Sequence, residues 1–300
     1  MTETQFYTPV LFLIFNRPEE TFRIFEKISE IKPPKLYIAS DGARENIVNE
    51  QNTVEELRKL LLGKIDWKCE VKTLFRNENL GCKYAVSSAI DWFFENEEQG
   101  IILEDDILPD ISFFQYCQEL LEKYNDDERI MQINGFNPIK QKTENSYFFS
   151  KYGTIWGWAS WRRAWKYYDV EMKEWQNVRN NPKFDYFYQN KKEKKIRHTI
   201  FDKVFDNKID TWDYQWAFAK LYHKGVSIFP KNNLITNIGF NEKATHTKKQ
   251  GIIPGKSKSV KFPLKHATIV ESDKIFDKKY LNKIMSPGII SLIINKIKSM

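Results

Sequence analysis

Residues 8–15, TPVLFLIF, form an almost unbroken apolar run, which predicts a strand buried on both faces of a parallel sheet. Asn16, Arg17 and Pro18 turn the chain, and Phe22, Phe25, Ile28 and Ile31 then recur at three-residue steps. That stripe predicts one apolar helix face, stopped by Pro33 and Pro34. A second strand, residues 35–40 (KLYIAS), runs into Asp41-Gly42. The alternation goes on with a helix over 53–62, a strand over 69–75, a helix over 83–95 and a strand over 100–103. Strand and helix in turn, four times, predict a doubly wound α/β layer whose ligands gather beyond the carboxyl ends of the strands. Arg17, Asp41, Arg76 and the run Glu104-Asp105-Asp106 all fall at those ends.

Beyond Ile133 this regularity gives way to aromatics: Tyr147 to Phe149, Tyr152, Trp156, Trp158, Trp161, Trp165, Tyr167 and Tyr168. They are expected to build the other wall of a cleft. A helix around Phe201, Val204 and Phe205, another over 213–223, and short strands over 226–230 and 234–238 complete the pattern. No internal repeat is present, and the lysine-rich 243–265 reads as a mobile loop. The expected organisation is an α/β half at 1–135, an acceptor-side half of the same unit at 136–270, and a tail at 271–300.

Composition narrows the classes. With 41% hydrophobic and 15% aromatic residues in 300, the chain can bury a sizeable core and still line a cleft, which excludes general disorder. The net charge of +7 suits a polyanion, a membrane surface or nucleic acid. Its lysines do not alternate with stacking aromatics, so no nucleic-acid partner is expected. Cys69, Cys82 and Cys117 lack metal-site spacing and fit a reducing cytoplasm. No signal peptide or spanning segment is evident, and a cytoplasmic location is expected. Residues 288–300, GIISLIINKIKSM, suit either a peripheral helix at an anionic membrane interface or a terminal helix docked on its own body.

Three adjacent carboxylates after the apolar GIIL repel one another and need compensation, which a hard divalent cation such as Mn²⁺ or Mg²⁺ supplies. A cap for the helix near Ser112 is the alternative. In this context LEDDILPDISFFQYC resembles the GT-A glycosyltransferases, particularly the inverting N-acetylglucosaminyltransferase that starts complex N-glycan branching and bacterial family-2-like enzymes. VLFLIFNRPEE and IASDGAR resemble that family's first two strands.

The resemblance implies a GT-A-like doubly wound mixed sheet flanked by helices. It implies transfer of a sugar from a nucleotide diphosphate donor, UDP by resemblance, to a glycan or lipid-linked glycan acceptor. Asp106 would be the metal ligand, Glu104 and Asp105 would contact ribose or support the metal, and Arg17 and Asp41 would hold the uracil base. A strand-end turn explains Asp41 equally well from the residues alone. Arg76 and Lys83, around N-x-G before a helix, are candidates for phosphate.

By the same resemblance Asp213, in IDTWDYQWAFA, is the base that takes the acceptor's proton. A helix N-cap is its structural alternative, and Asp210 is the nearest competitor. Trp156 and Trp158, in GTIWGWASWRRAW, are candidates to stack on the acceptor sugar, while Trp161 and Trp165 read as core on a shared helical face. His246, in NIGFNEKATHT, is a candidate for phosphate or the metal shell. A pyrophosphorylase is disfavoured because FNRPEE has no glycine-rich loop. A non-enzymatic glycan-binding module and a retaining transferase are the other readings.

Overall fold

The computed structural model describes residues 5–239 and 257–286. In the first half β1 (Val10–Ile14), α1 (Pro18–Ile31), β2 (Lys35–Ser40), α2 (Glu50–Gly63), β3 (Glu70–Phe75), α3 (Gly81–Asn96) and β4 (Gln99–Glu104) alternate without exception. All four strands are parallel, in the order β3-β2-β1-β4.

The unbroken apolar run of β1 has a direct cause in its two buried faces. Val10, Phe12 and Ile14 pack with Ile24, Phe25 and Ile28 of α1 and Leu57 and Leu61 of α2. Leu11 and Leu13 point the opposite way, into Ala89, Ile90 and Phe93 of α3. Successive side chains alternate across a strand, so helices on both sides of the sheet demand apolar residues at every position. Burying one such side chain contributes roughly 1.5–3 kcal/mol.

The second half extends the same sheet. It contains β5 (Ile107–Pro109), α4 (Ser112–Lys123), β6 (Ile130–Asn134), β7 (Tyr147–Ser150), β8 (Trp158–Trp161), α5 (Arg162–Trp165), α6 (Trp175–Arg179), α7 (Lys191–Phe205), α8 (Asp213–Tyr222), β9 (Val226–Pro230), β10 (Ile235–Asn237) and α9 (Lys274–Tyr280). The eight-stranded order is β3-β2-β1-β4-β8-β6-β9-β7. β8 joins antiparallel to β4, with Ile101 opposite Ala159, so the sheet crosses residue 135 without a break. The architecture is a mixed α/β layer, helices on both faces of a large central sheet.

Strands β6, β7 and β8 were not foreseen from the sequence. Each has only four or five residues and is buried throughout, so neither length nor polar alternation marks it. Trp161 and Trp165 are core as expected, but not on one helical face: Trp161 ends β8 and donates Nε1 to the Leu121 carbonyl, and Trp165 lies in α5. Beside the sheet, β5 and β10 form a separate antiparallel ribbon. A satellite core of α6, α7 and α8 includes Trp175, Phe201 and Phe218, and α9 closes over Phe148 and Phe229.

Candidate active site

The strand order reverses at β1, with β2 and β3 on one side and β4 on the other, and α/β sheets open a ligand crevice at such a point. Arg17 follows β1 and Glu104 ends β4, so topology brings them to one place. Arg17 Nη1 lies 2.7 Å from Asp106 Oδ2 and 3.3 Å from Asp105 Oδ1. Asp105 Oδ2 accepts from the Phe15 N–H at 3.0 Å. One guanidinium therefore faces two acids, with Glu104 beside them.

The compensation is incomplete. Burial and the charge of Asp106 push the Asp105 carboxyl up to about 7. Burial and the charges of Asp106, Asp105 and Asp213 hold Glu104 well above the usual carboxylate range, and its Oε1 is buried without a hydrogen-bond partner. Asp106 is also raised by burial, with Arg17 opposing. Capping of α4 does not occupy these acids: its N-cap is Ile111, and the Ser112 N–H donates to Asp110 Oδ1 at 3.0 Å.

The β5/β10 ribbon ends on this cluster. The Ile238 N–H donates to the Asp106 carbonyl at 2.8 Å, and a Cβ on Gly239 would stand 2.2 Å from Asp106 Oδ2. Backbone meets carboxylate here because position 239 is glycine. His246 and residues 288–300 lie outside the described residues. Among the described residues no group of three or more His, Cys, Asp or Glu side chains has the arrangement of a metal site. No helix there is long and apolar enough to cross a membrane.

Asp41 is turned onto the start of α3, accepting from the Leu80 N–H at 3.0 Å and the Gly81 N–H at 3.1 Å. Asp210 accepts from the next two, Cys82 and Lys83, at 3.1 and 3.0 Å. α3 has no acid in its own first turn, so two aspartates distant in sequence satisfy its orphan N–H groups. Gly81, with φ +73°, makes the turn that presents them. The Asp41 carboxyl is raised by burial, opposed by these hydrogen bonds and by the charge of Arg76. Arg76 itself donates to Ser88 Oγ at 2.8 Å.

Lys83 corrects an expectation. It is buried, and its ammonium is spent on Asn207 Oδ1 at 3.0 Å and Glu171 Oε1 at 3.3 Å, so it braces the loop before α8 and does not face the crevice as a phosphate ligand would. Trp158 is a second correction. It is fully buried, with ring centroids of Trp212, Trp165 and Trp216 at 5.8, 6.0 and 6.1 Å, leaving no face for an acceptor sugar.

Asp213 is the first residue of α8, and its carboxylate accepts from the Thr211 hydroxyl. It is not the N-cap, which is Trp212. Its charge is among the causes that raise Glu104 and Cys82. Asp213 also lines a cavity of about 330 Å³ together with Trp156, whose ring lies 4.6 Å from that of Phe136.

The polar lining of this cavity escaped the sequence reading. Lys151 Nζ and Arg197 Nε lie 2.6 and 2.9 Å from the two oxygens of the fully buried Glu193. Lys220 is buried between Gln132 and Ser227, its ammonium pushed down to about 7 by burial and by the charge of Arg197. A Cβ on Gly153 would meet Lys220 Nζ at 2.0 Å, so the missing side chain there makes room for the lysine. The lone clue was Glu193 four residues before Arg197, hidden in the basic run KKEKKIR.

No protein-family model and no curated protein matches the chain. Solved structures do. A UDP-glucose pyrophosphorylase in its apo form has a TM-score of 0.40 at 10% identity, over 77% of this chain and 93% of that one. The glycosyltransferase GlyE of Streptococcus pneumoniae TIGR4 has 0.27 at 12% identity, over 75% and 54%. HddC from Yersinia pseudotuberculosis has 0.30 at 12% identity, over 42% of this chain and 57% of that one. At such values the likeness does not reach residue roles.

Proposed function

We propose that the protein is a metal-dependent glycosyltransferase that moves a sugar from a nucleoside diphosphate, UDP in our reading, to an acceptor hydroxyl with inversion. The observation that carries this is the under-compensated acid cluster at the β1/β4 crevice, with Asp213 near enough to act on Glu104 and itself lining a cavity. The donor set suits a hard cation. Mg²⁺ and Mn²⁺ are commonly held by one or two carboxylates, with phosphate oxygens and waters completing the shell. Asp106 is the ligand in this reading, and a cation there relieves the repulsion that raises its neighbours. When bound, the ion neutralises charge on the departing diphosphate.

Glu104 and Asp105 would contact ribose or support the metal, whereas Arg17, expected to hold the uracil base, has its Nη1 paired with Asp105 and Asp106 and would order those acids. Asp41 and Arg76 border the same crevice, where the base of the nucleotide is expected. Asp213 accepts the proton of the attacking hydroxyl, and Trp156 offers an aromatic wall to the acceptor. A lipid-linked acceptor at the cytoplasmic membrane face fits the apolar, lysine-bearing sequence of 288–300.

Calorimetry with UDP, with and without Mn²⁺, tests the reading on the wild type and on Asp106→Ala. Metal-dependent binding that the variant loses is the expected result. A wild type indifferent to UDP under both conditions refutes a UDP donor, and indifference to every nucleotide leaves glycan binding without catalysis.

A further inference from the structure

Arg197 is 5% exposed and lines the cavity that Asp213 also lines. Its Nε donates to Glu193 Oε1 at 2.9 Å and its guanidinium lies over the Tyr152 ring at 5.2 Å, but among the described residues neither Nη nitrogen has a hydrogen-bond acceptor. A guanidinium is permanently charged, and its Nη donors, at a cavity wall and without a protein acceptor, are open to a ligand that supplies one. Glu193 cannot satisfy it, because its other oxygen is taken by Lys151 at 2.6 Å. Asp277, the other buried acid nearby, is held by the Ser150 hydroxyl and makes no ion pair with either cation. Net charge alone is not decisive, since Asp213 and Asp277 both stand in the region. The open Nη edge is decisive, because its two parallel donors match the two oxygens of a carboxylate or phosphate. Trp156, Tyr280 and Ile284 on the surrounding walls suit the less polar faces of a sugar ring.

We infer that this cavity binds an acceptor sugar bearing an oxyanion, a carboxylate or a phosphate, gripped end-on by Arg197 while a hydroxyl of the same sugar is presented to Asp213. The word acceptor rests on the proposed transferase activity; the oxyanion site itself does not. A neutral sugar would leave the Nη edge to water, so discrimination against neutral acceptors follows from the same geometry.

The test is a titration of intrinsic tryptophan fluorescence in the full chain without divalent metal, using methyl glucuronide, glucose 6-phosphate and methyl glucoside. One of the two anions is expected to bind at least about tenfold tighter than the neutral glycoside, and the tighter of the two names the group. Arg197→Lys keeps the charge but removes the fork; it should lose that preference while binding UDP with Mn²⁺ as the wild type does. Equal affinity for anionic and neutral sugars in the wild type overturns the inference, a comparison that requires no variant to fold. So does an undiminished preference in folded Arg197→Lys. If the preference follows Arg197 but UDP binds neither protein, the oxyanion site stands and the transferase reading fails.

Discussion

Two regions of the molecule, each called a wall here, bury charge in opposite ways. At the β1/β4 crevice two acids share one arginine, and a third, Glu104, keeps a buried oxygen without a partner. In the α7/α8 cavity two cations share one glutamate, and Arg197 keeps two donors without acceptors. Charge left unsatisfied in a protein interior is costly, and in the proposed reading a ligand of the matching kind completes each wall. A cation and a diphosphate suit the first, and an oxyanion suits the second. Asp213 lines the second region, and its charge is one of those that raise Glu104 in the first.

The largest effect is expected at this junction. Asp213→Asn should lower sugar transfer by about 10²–10⁴-fold, measured as initial UDP release, with UDP affinity unchanged. Unaltered turnover would remove Asp213 as the base and leave the two walls uncoupled. Next come the counter-ions of each wall. Arg17→Met should destabilise the fold by about 3 kcal/mol in urea unfolding, and Mn²⁺ should raise the unfolding midpoint of this variant more than that of the wild type. An equal metal response would mean that the acids do not take the cation.

Glu193→Gln makes the mirror experiment in the cavity. It should cost about 3 kcal/mol by the same measurement, because Lys151 and Arg197 lose their shared carboxylate. A further contribution is carried by pH. Lys220 titrates near 7 when folded, against 10.5 ordinarily. Between those values the unfolded chain holds a proton that the folded chain has released, so stability rises with pH across the window and is lowest below it. Lys220→Met should flatten that part of the rise, read as the difference between the two proteins in urea unfolding from pH 7 to pH 10. Smallest is Asp210→Ala, which frees two N–H groups at the start of α3 and should cost about 1 kcal/mol in the same assay.

Much of the first wall was legible along the chain. An apolar run followed by a polar turn, repeated four times, locates strand ends whatever the tertiary detail, and the triplet 104–106 stands at one of them. The second wall was not legible. Short strands buried on both faces, such as β8, carry no alternation, and Trp156 and Trp158 look alike in sequence although one lines a cavity and the other is walled in by three tryptophans. Lys83 and Arg76 looked like phosphate ligands because they flank a helix start. Burial turned Lys83 toward Asn207 and Glu171, whereas Arg76 gives only Nη2 to Ser88 and stays a candidate.

By itself the sequence determined the parallel half of the sheet, the helices over it and the placing of Arg17 and Glu104 to Asp106 at strand ends, because those follow from local periodicity and chain order. Only the tertiary structure decided which charges meet: that Arg17 reaches Asp106, that Asp41 and Asp210 close on one helix start, and that Arg197 faces a cavity with its outer edge open. The physical reason is that periodicity reports which face of an element is buried, whereas an ion pair or an unmet donor depends on the distance between groups far apart in the chain.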